Sequence, residues 1–545
     1  MAMLLLTLPL AGTAAATDTS KTYYINSALG SDENDGLSPD TPFLSAAKIS
    51  ALSLAPGDSV LFKKGCTFIC ENLTLTISGT KEKPIVISSY GEGEKPRLTA
   101  LGNTEVLRLF DCSFVTVSSL EITAPTGGGI WIDTLEKKSD GITLTDLTMH
   151  DITNTTATAR DNLSYGAAVA RACVMVKGLP ARSRYPVDNL KITNCEMYDC
   201  GNGISCWGSW NDEQAPWCDE EDIDPIFNSG FYVGDCYFHN MDEEALIIGM
   251  CDGAVCENSR CIDCCYNDGV NDDGTSFVAA AMWFWGSVNS TIRRCEIAGQ
   301  RNLGDGMTCD FDSYSHYCTY EYIYSHDNVR FVNNCPQHSG HRGNTIRYCL
   351  SVNDNKRASN LSQYCYDSNE YGLRFYGNTI INPNEYIIEG VRDGYIADNI
   401  FYGDFTASFR WSRKKVNDET NEKFMDEFTG VMTNNCFFGT CVPSCSVNNL
   451  ICDPCFVGTD LTNPRSFILS SSSPLLGKGI TYSEGETDMF QNVIGKSTNL
   501  GFWQGEDKIE REKTSFLTSL IKYISTFFAK AYQWIVDCNN RYWLF

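Results

Sequence analysis

The sequence predicts an all-β solenoid, in which short parallel strands stack coil upon coil. The first observation is a recurring phrase, a short apolar run followed by Asn or Cys, as in residues 192–195 and 292–295. The second is its spacing, with 27, 27, 29 and 21 residues between successive copies. Repeats of this length with strand-type composition are typical of solenoids, in which stacking brings distant residues side by side. The aligned positions are Cys295, Tyr322, Cys349, Asn378 and Asn399.

Composition limits the partners that the chain can bind. The 545 residues are 43% hydrophobic and carry a formal charge of −26. A surface of this charge repels phosphate, so we expect no nucleic-acid partner. A polyanionic substrate would need calcium or a local basic groove, whereas a neutral ligand needs neither.

The first residues predict export. Residues 1–16 contain an apolar stretch and end in Ala14–Ala16, which resembles a secretory signal peptide with a small-residue cleavage site. The alternative is an N-terminal helix that the mature chain retains. No other segment has 18 uninterrupted apolar residues, so we expect no membrane span and an extracellular protein.

The 26 cysteines fall into two groups. Four fall on the repeated Asn/Cys position, where buried thiols pack as small apolar groups, and we interpret them as structural. They are Cys195, Cys236, Cys295 and Cys349. A second set forms a C-x3-C followed by a C-x2-C, for which a zinc site and a pair of disulfides are both open. This set is Cys441, Cys445, Cys452 and Cys455.

Three segments are predicted along the chain. After the signal peptide, residues 22–506 form the solenoid with an N-terminal cap and a closing coil. Residues 507–545 differ, because apolar side chains recur there at helical spacing. We interpret this tail as an amphipathic helix that covers the open end of the solenoid. The alternatives are a helix at a membrane surface and a helix that docks on a partner.

Superposing two neighbouring coils predicts a candidate site. A 27-residue offset places Trp283 beside Asp310 and Trp285 beside Asp312. Alternate strand residues share a face, so these four side chains point outward and form an exposed strip. Asp305 lies in the loop that leads into the second strand. The residues between them suit the interior: Met282, Phe284, Cys309 and Phe311.

Two carboxylates beside two indoles suit sugar chemistry. Trp faces pack against pyranose rings, while carboxylates bind hydroxyls or transfer protons. Glycoside hydrolysis needs two carboxyl groups, about 5 Å or about 6.5–9.5 Å apart. Outward residues i and i+2 of a strand lie roughly 6.5–7 Å apart, so Asp310 and Asp312 are the predicted catalytic pair, with Asp305 in support. The alternative is that these Asp residues only form turns.

Other candidates are weaker. The long acidic loop 206–224 contains Trp207, Trp210 and Trp217, which form either a sugar-binding wall or the packed core of that loop. His326 is interpreted mainly as a turn residue, with general-base duty or contact with the substrate as the functional alternative. Asp272 and Asp273 form a turn, a pair of calcium ligands or a further acid at the site.

Several motifs carry a family resemblance. Residues 22–43 resemble the N-terminal cap of right-handed parallel β-helix carbohydrate-active enzymes, the pectate-lyase-like superfamily with its glycoside-hydrolase-like members. Residues 203–210, 282–285, 305–312 and 324–328 resemble a group of secreted β-helix proteins assigned to polysaccharide breakdown. The resemblance spans about residues 22–506 and implies a right-handed parallel β-helix. One departure is the segment 241–246, where the group has a Gly-Asp-Gly turn.

These observations predict a secreted, monomeric glycoside hydrolase that acts on a polysaccharide or oligosaccharide. It would require no cofactor, with calcium as an option at Asp272 and Asp273. The first alternative is a calcium-dependent lyase acting on a uronate polymer, although no basic column adjoins the Asp pair. The second is a carbohydrate-binding solenoid without catalysis, because fold alone does not decide function.

Overall fold

The structure is a computed structural model of the whole chain, described here for the ranges that follow. They are 20–70, 73–102, 104–152, 172–176, 185–210, 225–265, 279–302, 306–334, 341–354, 361–363, 370–382, 385–387, 391–410, 415–416, 423–424, 429–440, 442–443, 445–480, 485–505 and 509–510. The predicted signal peptide and C-terminal helix lie outside them.

Parallel strands form three long sheets, and each coil of the chain contributes to them in turn, as the sequence predicts. Sheet 1 has 15 strands. They are Thr22–Ile25, Ser59–Lys63, Ile85–Tyr90, Val115–Ser118, Thr143–Thr145, Lys191–Thr193, Tyr232–Gly234, Val255–Glu257, Thr291–Arg293, Thr319–Glu321, Thr345–Arg347, Arg374–Tyr376, Gly394–Ala397, Gly430–Thr433 and Ser446–Val447.

Sheet 2 follows sheet 1 in each coil after a turn of a few residues. Its strands are Thr67–Ile69, Arg97–Thr99, Glu121–Ala124, Thr148–Ile152, Glu196–Cys200, Tyr237–His239, Arg260–Ile262, Glu296–Ala298, Tyr324–His326, Leu350–Val352, Thr379–Ile381, Ile400–Arg410 and Cys436–Thr440.

Sheet 3 completes the coil and includes the candidate site. Its strands are Leu73–Leu75, Glu105–Phe110, Gly128–Asp133, Ala172–Val176, Asn202–Trp207, Leu246–Gly249, Met282–Trp285, Met307–Cys309, Arg330–Asn334, Leu361–Gln363 and Glu385–Ile387. The last of these also pairs with the end of Ile400–Arg410, which therefore belongs to sheets 2 and 3.

Smaller elements lie at the corners. Short parallel segments follow sheet 3, namely Ser139–Asp140, Val187–Asp188, Asn228–Ser229, Cys251–Asp252, His341–Arg342, Glu370–Tyr371 and Val391–Arg392. Two antiparallel pairs join Ser209–Trp210 to Pro225–Ile226 and Lys415–Val416 to Lys423–Phe424. In the described ranges the helical elements are two 3₁₀ turns, Ala46–Ala51 and Pro464–Phe467, and none is long and apolar enough to cross a membrane.

Alternation along each strand explains the core. In Val115–Ser118 the two valines are fully buried while Thr116 and Ser118 lie on the outer face. Inward side chains from all three sheets form one continuous apolar cluster along the solenoid. Because all three sheets are parallel, each coil buries its inward residues against those of the coils above and below.

The structure corrects the predicted register of sheets 1 and 2 by one residue. Glu296 pairs with Tyr324, an offset of 28, so the equivalent of Cys295 is Ile323 rather than Tyr322. Tyr322 instead aligns with Arg294, and both have a positive φ, 57° and 52°. The guanidinium of Arg294 lies 4.6 Å from the centre of the Tyr322 ring. Tyr322 is therefore the turn residue that precedes the repeated position. Aromatic residues are common in strands, so the sequence pattern assigned Tyr322 to the strand position instead.

The repeated cysteines are structural thiols, as predicted. Cys195, Cys236, Cys295 and Cys349 are free and expose 2% of their surface or less. Each Sγ lies 3.2–3.4 Å from the carbonyl oxygen of the residue two positions earlier. In the second set Cys445, Cys452 and Cys455 are also free thiols, and Cys441 lies outside the described ranges.

Asparagine replaces cysteine in the last coils and forms a ladder. The backbone N–H of Asn378 donates to Asn399 Oδ1 at 2.9 Å, and that of Asn399 donates to Asn435 Oδ1 at 3.0 Å. All three side chains are fully buried. Their amides satisfy backbone groups at a corner that strand pairing leaves unpaired.

Replacing Asn399 by Ala is expected to lower the free energy of unfolding by about 3 kcal/mol, because buried donors and acceptors on both neighbouring coils lose their partners. Replacing Cys295 by Ala, at the same position of an earlier coil, is expected to cost about 1 kcal/mol, since only a weakly bonded thiol is lost. Urea unfolding of both variants measures the difference. Equal losses would contradict the role assigned to the ladder.

The chain after the solenoid folds back over sheet 2. Phe456, Phe467 and Trp503 pack with Leu350 and Ile400 in a second buried cluster on the outer face of that sheet. In the coils before this segment the column that leads to Leu350 is charged, with Arg260 and Glu296, whereas the column that leads to Val352 is mixed, with Ala298 and His326. The outer face therefore becomes apolar where the returning chain covers it.

Candidate active site

The strand Met282–Trp285 lies beside residues 307–312 in sheet 3, where Asp310, Phe311 and Asp312 directly follow the strand Met307–Cys309. Phe284 and Phe311 form a parallel bridge, in which the N–H of Asp312 donates to the carbonyl of Phe284 at 2.9 Å. The N–H of Phe284 donates to the carbonyl of Asp310 at 3.3 Å. Sheet 3 thus has the predicted 27-residue offset, and Trp283 and Trp285 lie beside Asp310 and Asp312.

The inward residues of these strands are those that the sequence assigns to the interior. Met282, Phe284, Cys309 and Phe311 are fully buried in the main core. The Phe284 and Phe311 rings stack with their centres 5.9 Å apart. The side chains that alternate with them, two Trp and two Asp, consequently point away from the core.

The structure corrects the expectation of an exposed strip. Trp283 and Trp285 expose only 6% and 8% of their surface. They belong to an apolar layer on the outer face of sheet 3 that also includes Trp207, whose ring lies edge-on to Trp285 at 4.8 Å. Burying aromatic surface in such a layer stabilises the fold, so the packed arrangement is lower in free energy than one with exposed rings. The remaining members are Ala172, Met175, Ile247, Met250, Ala280 and Met307.

The backbone of Asp310 forms hydrogen bonds with Tyr320, a residue of sheet 1. The side chain of Asp310 is only 6% exposed. The buried Tyr320 hydroxyl accepts from the Asp310 N–H at 3.1 Å and lies 2.9 Å from the Asp310 carbonyl and 2.8 Å from that of Met282. Burial, with smaller contributions from Cys309 and Asp310, raises the pKa of Tyr320 far above its usual range, so the hydroxyl remains a donor.

Sequence reasoning missed Tyr320, although a signal was present. Its partners in sheet 1 are Ile292 and Ile346, so a tyrosine stands where neighbouring coils have isoleucine. A hydroxyl in the core needs a hydrogen-bond partner. Here that partner is the backbone of the strand with the candidate acids.

Asp312 is the more accessible of the two acids. The residue is half-buried, and its Oδ1 accepts from the N–H of Ser313 at 3.0 Å. Its carbonyl accepts from Nε2 of His341 at 2.8 Å. Burial above all, with His341 and Arg342 nearby, lowers the pKa of His316 in the adjoining turn to about 3. The imidazole of His316 is therefore neutral at physiological pH.

Two buried carboxylates before a strand of sheet 3 were not singled out in the sequence. Glu243 and Glu244 are 3% and 4% exposed and precede the strand Leu246–Gly249. The N–H of Glu244 donates to Oδ1 of Asn202 at 3.0 Å. The signal was the departure of segment 241–246 from the family pattern, where two acidic residues replace a glycine turn.

The structure does not describe every predicted site residue. Asp305, Asp272 and Asp273 lie outside the described ranges, as does the side chain of Trp210. Within those ranges no group of three or more His, Cys, Asp or Glu side chains is arranged to hold a metal ion. The support of Asp305 and the calcium ligands therefore stay predictions.

His326 lies on a different face of the solenoid. It projects from the outer side of sheet 2, stacked on Tyr324 with ring centres 4.5 Å apart. Its Nδ1 lies 2.9 Å from Asp327 and its Nε2 lies 3.3 Å from Glu296. Burial opposes protonation, but the hydrogen bonds to Asp327 and Glu296 outweigh it and raise the pKa of His326 to about 9. The structure does not bring His326 together with the Asp pair.

Replacing His326 by Gln is expected to destabilise the fold below pH 6 and to have little effect near pH 10. The folded pKa exceeds the unfolded value, so the ion pairs stabilise fully below about pH 6.5 and their contribution is lost as the pH rises through about 9. The melting temperatures of both proteins across this range measure the effect. A difference that does not change with pH would contradict it.

Coils of three parallel sheets, with a carboxylate pair on the outer face of one of them, define a parallel β-helix protein with a candidate acid site. No protein-family model matches the chain. It is 25% identical over 462 residues to a lacto-N-biosidase of Bifidobacterium longum subsp. longum. The match covers 68% of this chain and 28% of that protein, so the chain spans about a quarter of its relative.

Solved structures show the same fold. A GH136 lacto-N-biosidase from Eubacterium ramulus, as its selenomethionine derivative, superposes with a TM-score of 0.53 at 21% identity. The superposition covers 76% of this chain and 67% of that one. The native form has a TM-score of 0.50. The predicted resemblance to parallel β-helix carbohydrate-active enzymes is therefore confirmed.

Proposed function

We propose that this protein is a glycoside hydrolase that cleaves an oligosaccharide with a pair of carboxyl groups, Asp310 and Asp312. The observation that carries the proposal is the placement of these two acids on either side of the inward Phe311, so that both leave sheet 3 on the same face. The similarity to lacto-N-biosidases supports the class of enzyme.

The two acids have environments suited to different roles. Their backbone positions are roughly 6.5–7 Å apart, so the carboxyl groups can take up the separation of either a retaining or an inverting enzyme. Asp310, which is almost fully buried, is the proposed proton donor. Asp312, half-buried and bonded by the Ser313 N–H, is the proposed base or nucleophile. Asp305 is the proposed supporting acid.

The proposed substrate is neutral. The charge of −26 disfavours a polyanion, and the relatives are named for an activity on lacto-N-biose. We therefore propose an exported, monomeric enzyme whose substrates include oligosaccharides that end in this disaccharide. It needs no cofactor for its chemistry, with calcium as a structural option at Asp272 and Asp273. Residues 507–545 remain the proposed cover of the solenoid, or a contact with a membrane surface or partner.

Product analysis tests this proposal. The full-length chain is incubated with neutral oligosaccharides, including lacto-N-biose-terminated ones, and with uronic-acid polymers, each with calcium and with chelator. New reducing ends from a neutral substrate, without an unsaturated product, support hydrolysis. Calcium-dependent formation of an unsaturated uronate would replace the proposal by the lyase alternative. Binding without any product would favour a carbohydrate-binding solenoid.

A further inference from the structure

A column of buried polar side chains fills the corner between sheets 2 and 3 beneath the candidate site. Gln300, Asn328 and Asp354 occupy equivalent positions in three successive coils and are fully buried. The N–H of Gln300 donates to Oδ1 of Asn328 at 3.0 Å, and the N–H of Asn328 donates to Oδ1 of Asp354 at 2.9 Å. The column thus resembles the asparagine ladder, except that its last member is an acid.

Asp354 accepts more hydrogen bonds than its place in the column requires. The hydroxyls of Ser325 and Ser351 both donate to its Oδ2, at 2.5 and 2.7 Å. Burial raises the pKa of Asp354 to about 6, against the effect of these bonds and of the nearby cation of His326. The other titratable groups that interact with it are Tyr324 and Cys309. No step of the proposed reaction uses this acid directly.

The hydrogen bonds to Asp354 determine which hydroxyl donates and which accepts in a series of hydrogen bonds that ends at the strand Met307–Cys309. Because Ser325 gives its only proton to Asp354, its oxygen must accept the bond from Thr308, 2.6 Å away. The amide of Asn328 donates to Thr308 Oγ1 at 3.0 Å. Thr308 is the middle residue of the strand Met307–Cys309 and lies two positions before Asp310. An ionised Asp354 therefore orders every hydroxyl between it and that strand.

We propose that Asp354 is a positioning residue for the reaction, which holds the strand of Asp310 and Asp312 in its productive place through Ser325 and Thr308. This inference rests on the proposed function. A small displacement of a catalytic carboxyl lowers the rate steeply while leaving substrate binding largely intact.

Two serine variants separate positioning from stability. Ser325→Ala and Ser351→Ala each remove one hydroxyl from Asp354 at a fully buried position, but only Ser325→Ala removes the acceptor of Thr308. Both variants are expected to lower the melting temperature by similar amounts. Ser325→Ala is expected in addition to lower kcat by about 10- to 100-fold at unchanged KM. Ser351→Ala is expected to retain a kcat close to that of the wild type. Equal kcat values in the two folded variants would overturn the inference.

Asp354→Asn supplies a readout in pH. The amide retains the acceptor for Asn328 but does not ionise, so its kcat is expected to be lower than the wild-type value above about pH 6 and to converge with it below. A ratio that is the same at every pH would also overturn the inference. If the wild type itself releases no product from any saccharide, the proposed function fails and the inference with it; activity in the wild type with equal serine variants refutes the inference alone.

Discussion

Replacing Asp312 by Asn is expected to lower kcat by about 10²- to 10⁴-fold, and Asp310→Asn should have an effect of the same order. The amide has the shape of the carboxyl group but can neither attack a sugar carbon nor transfer a proton. The release of reducing ends from the best substrate of the panel measures kcat. Because both side chains lie on the outer face of sheet 3, neither change removes a contact of the main core.

The matched control is Asp252→Asn, an exposed acid at the corner after sheet 3, which is expected to leave kcat unchanged. If Asp312→Asn cleaves at the wild-type rate, the catalytic assignment is wrong and the carbohydrate-binding alternative gains. If Asp312→Asn is inactive while Asp310→Asn is not, Asp305 becomes the partner of Asp312. A third variant, Asp305→Asn, would then lose activity.

Replacing Phe311 by Ala is expected to cost about 3–5 kcal/mol of unfolding free energy and to reduce hydrolysis as well. The ring is fully buried, stacks on Phe284 and lies 5.1 Å from the ring of Tyr320. Its removal leaves a cavity directly beneath the backbone of Asp310 and Asp312. Denaturant unfolding measures the stability loss, and kcat is measured at a temperature at which the variant is fully folded.

Phe401→Ala provides the control for Phe311→Ala. Phe401 is equally buried, stacks on Phe437 at 5.2 Å, and lies in sheet 2 away from the acids. A similar stability loss is expected without a fall in kcat. If both variants lose activity in proportion to their stability, Phe311 has no special role beneath the site.

The register predicted for these two coils is correct in sheet 3 and wrong in sheets 1 and 2. The 27-residue offset holds in sheet 3, where it aligns Trp283 with Asp310, but the same two coils have an offset of 28 in sheets 1 and 2. One sequence shift cannot describe both, because the corners between sheets vary in length from coil to coil. The Tyr322 position was predicted wrongly for this reason, since an aromatic turn residue resembles a strand residue in sequence.

The sequence pattern did not predict the residues that contact the site strand from other parts of the chain. Tyr320 belongs to sheet 1 and Asp354 to a later corner, yet both act on the strand of Asp310 through contacts across the interior. The sequence marks Tyr320 only as a tyrosine in a column of isoleucines, and it indicates neither the partner of Tyr320 nor that of Asp354. These contacts arise only when three sheets close around one core.

By itself, the sequence determined the solenoid, the strands of the site and the face that each of their residues occupies. These are properties of alternation between neighbours, and a strand has a period of two whatever surrounds it. The tertiary structure alone decided that Trp283 and Trp285 are covered, that His326 lies on another face, and that Tyr320 supports Asp310. Burial and contact of this kind depend on where distant coils and corners are placed, because the free energy of packing is shared among residues far apart in the chain.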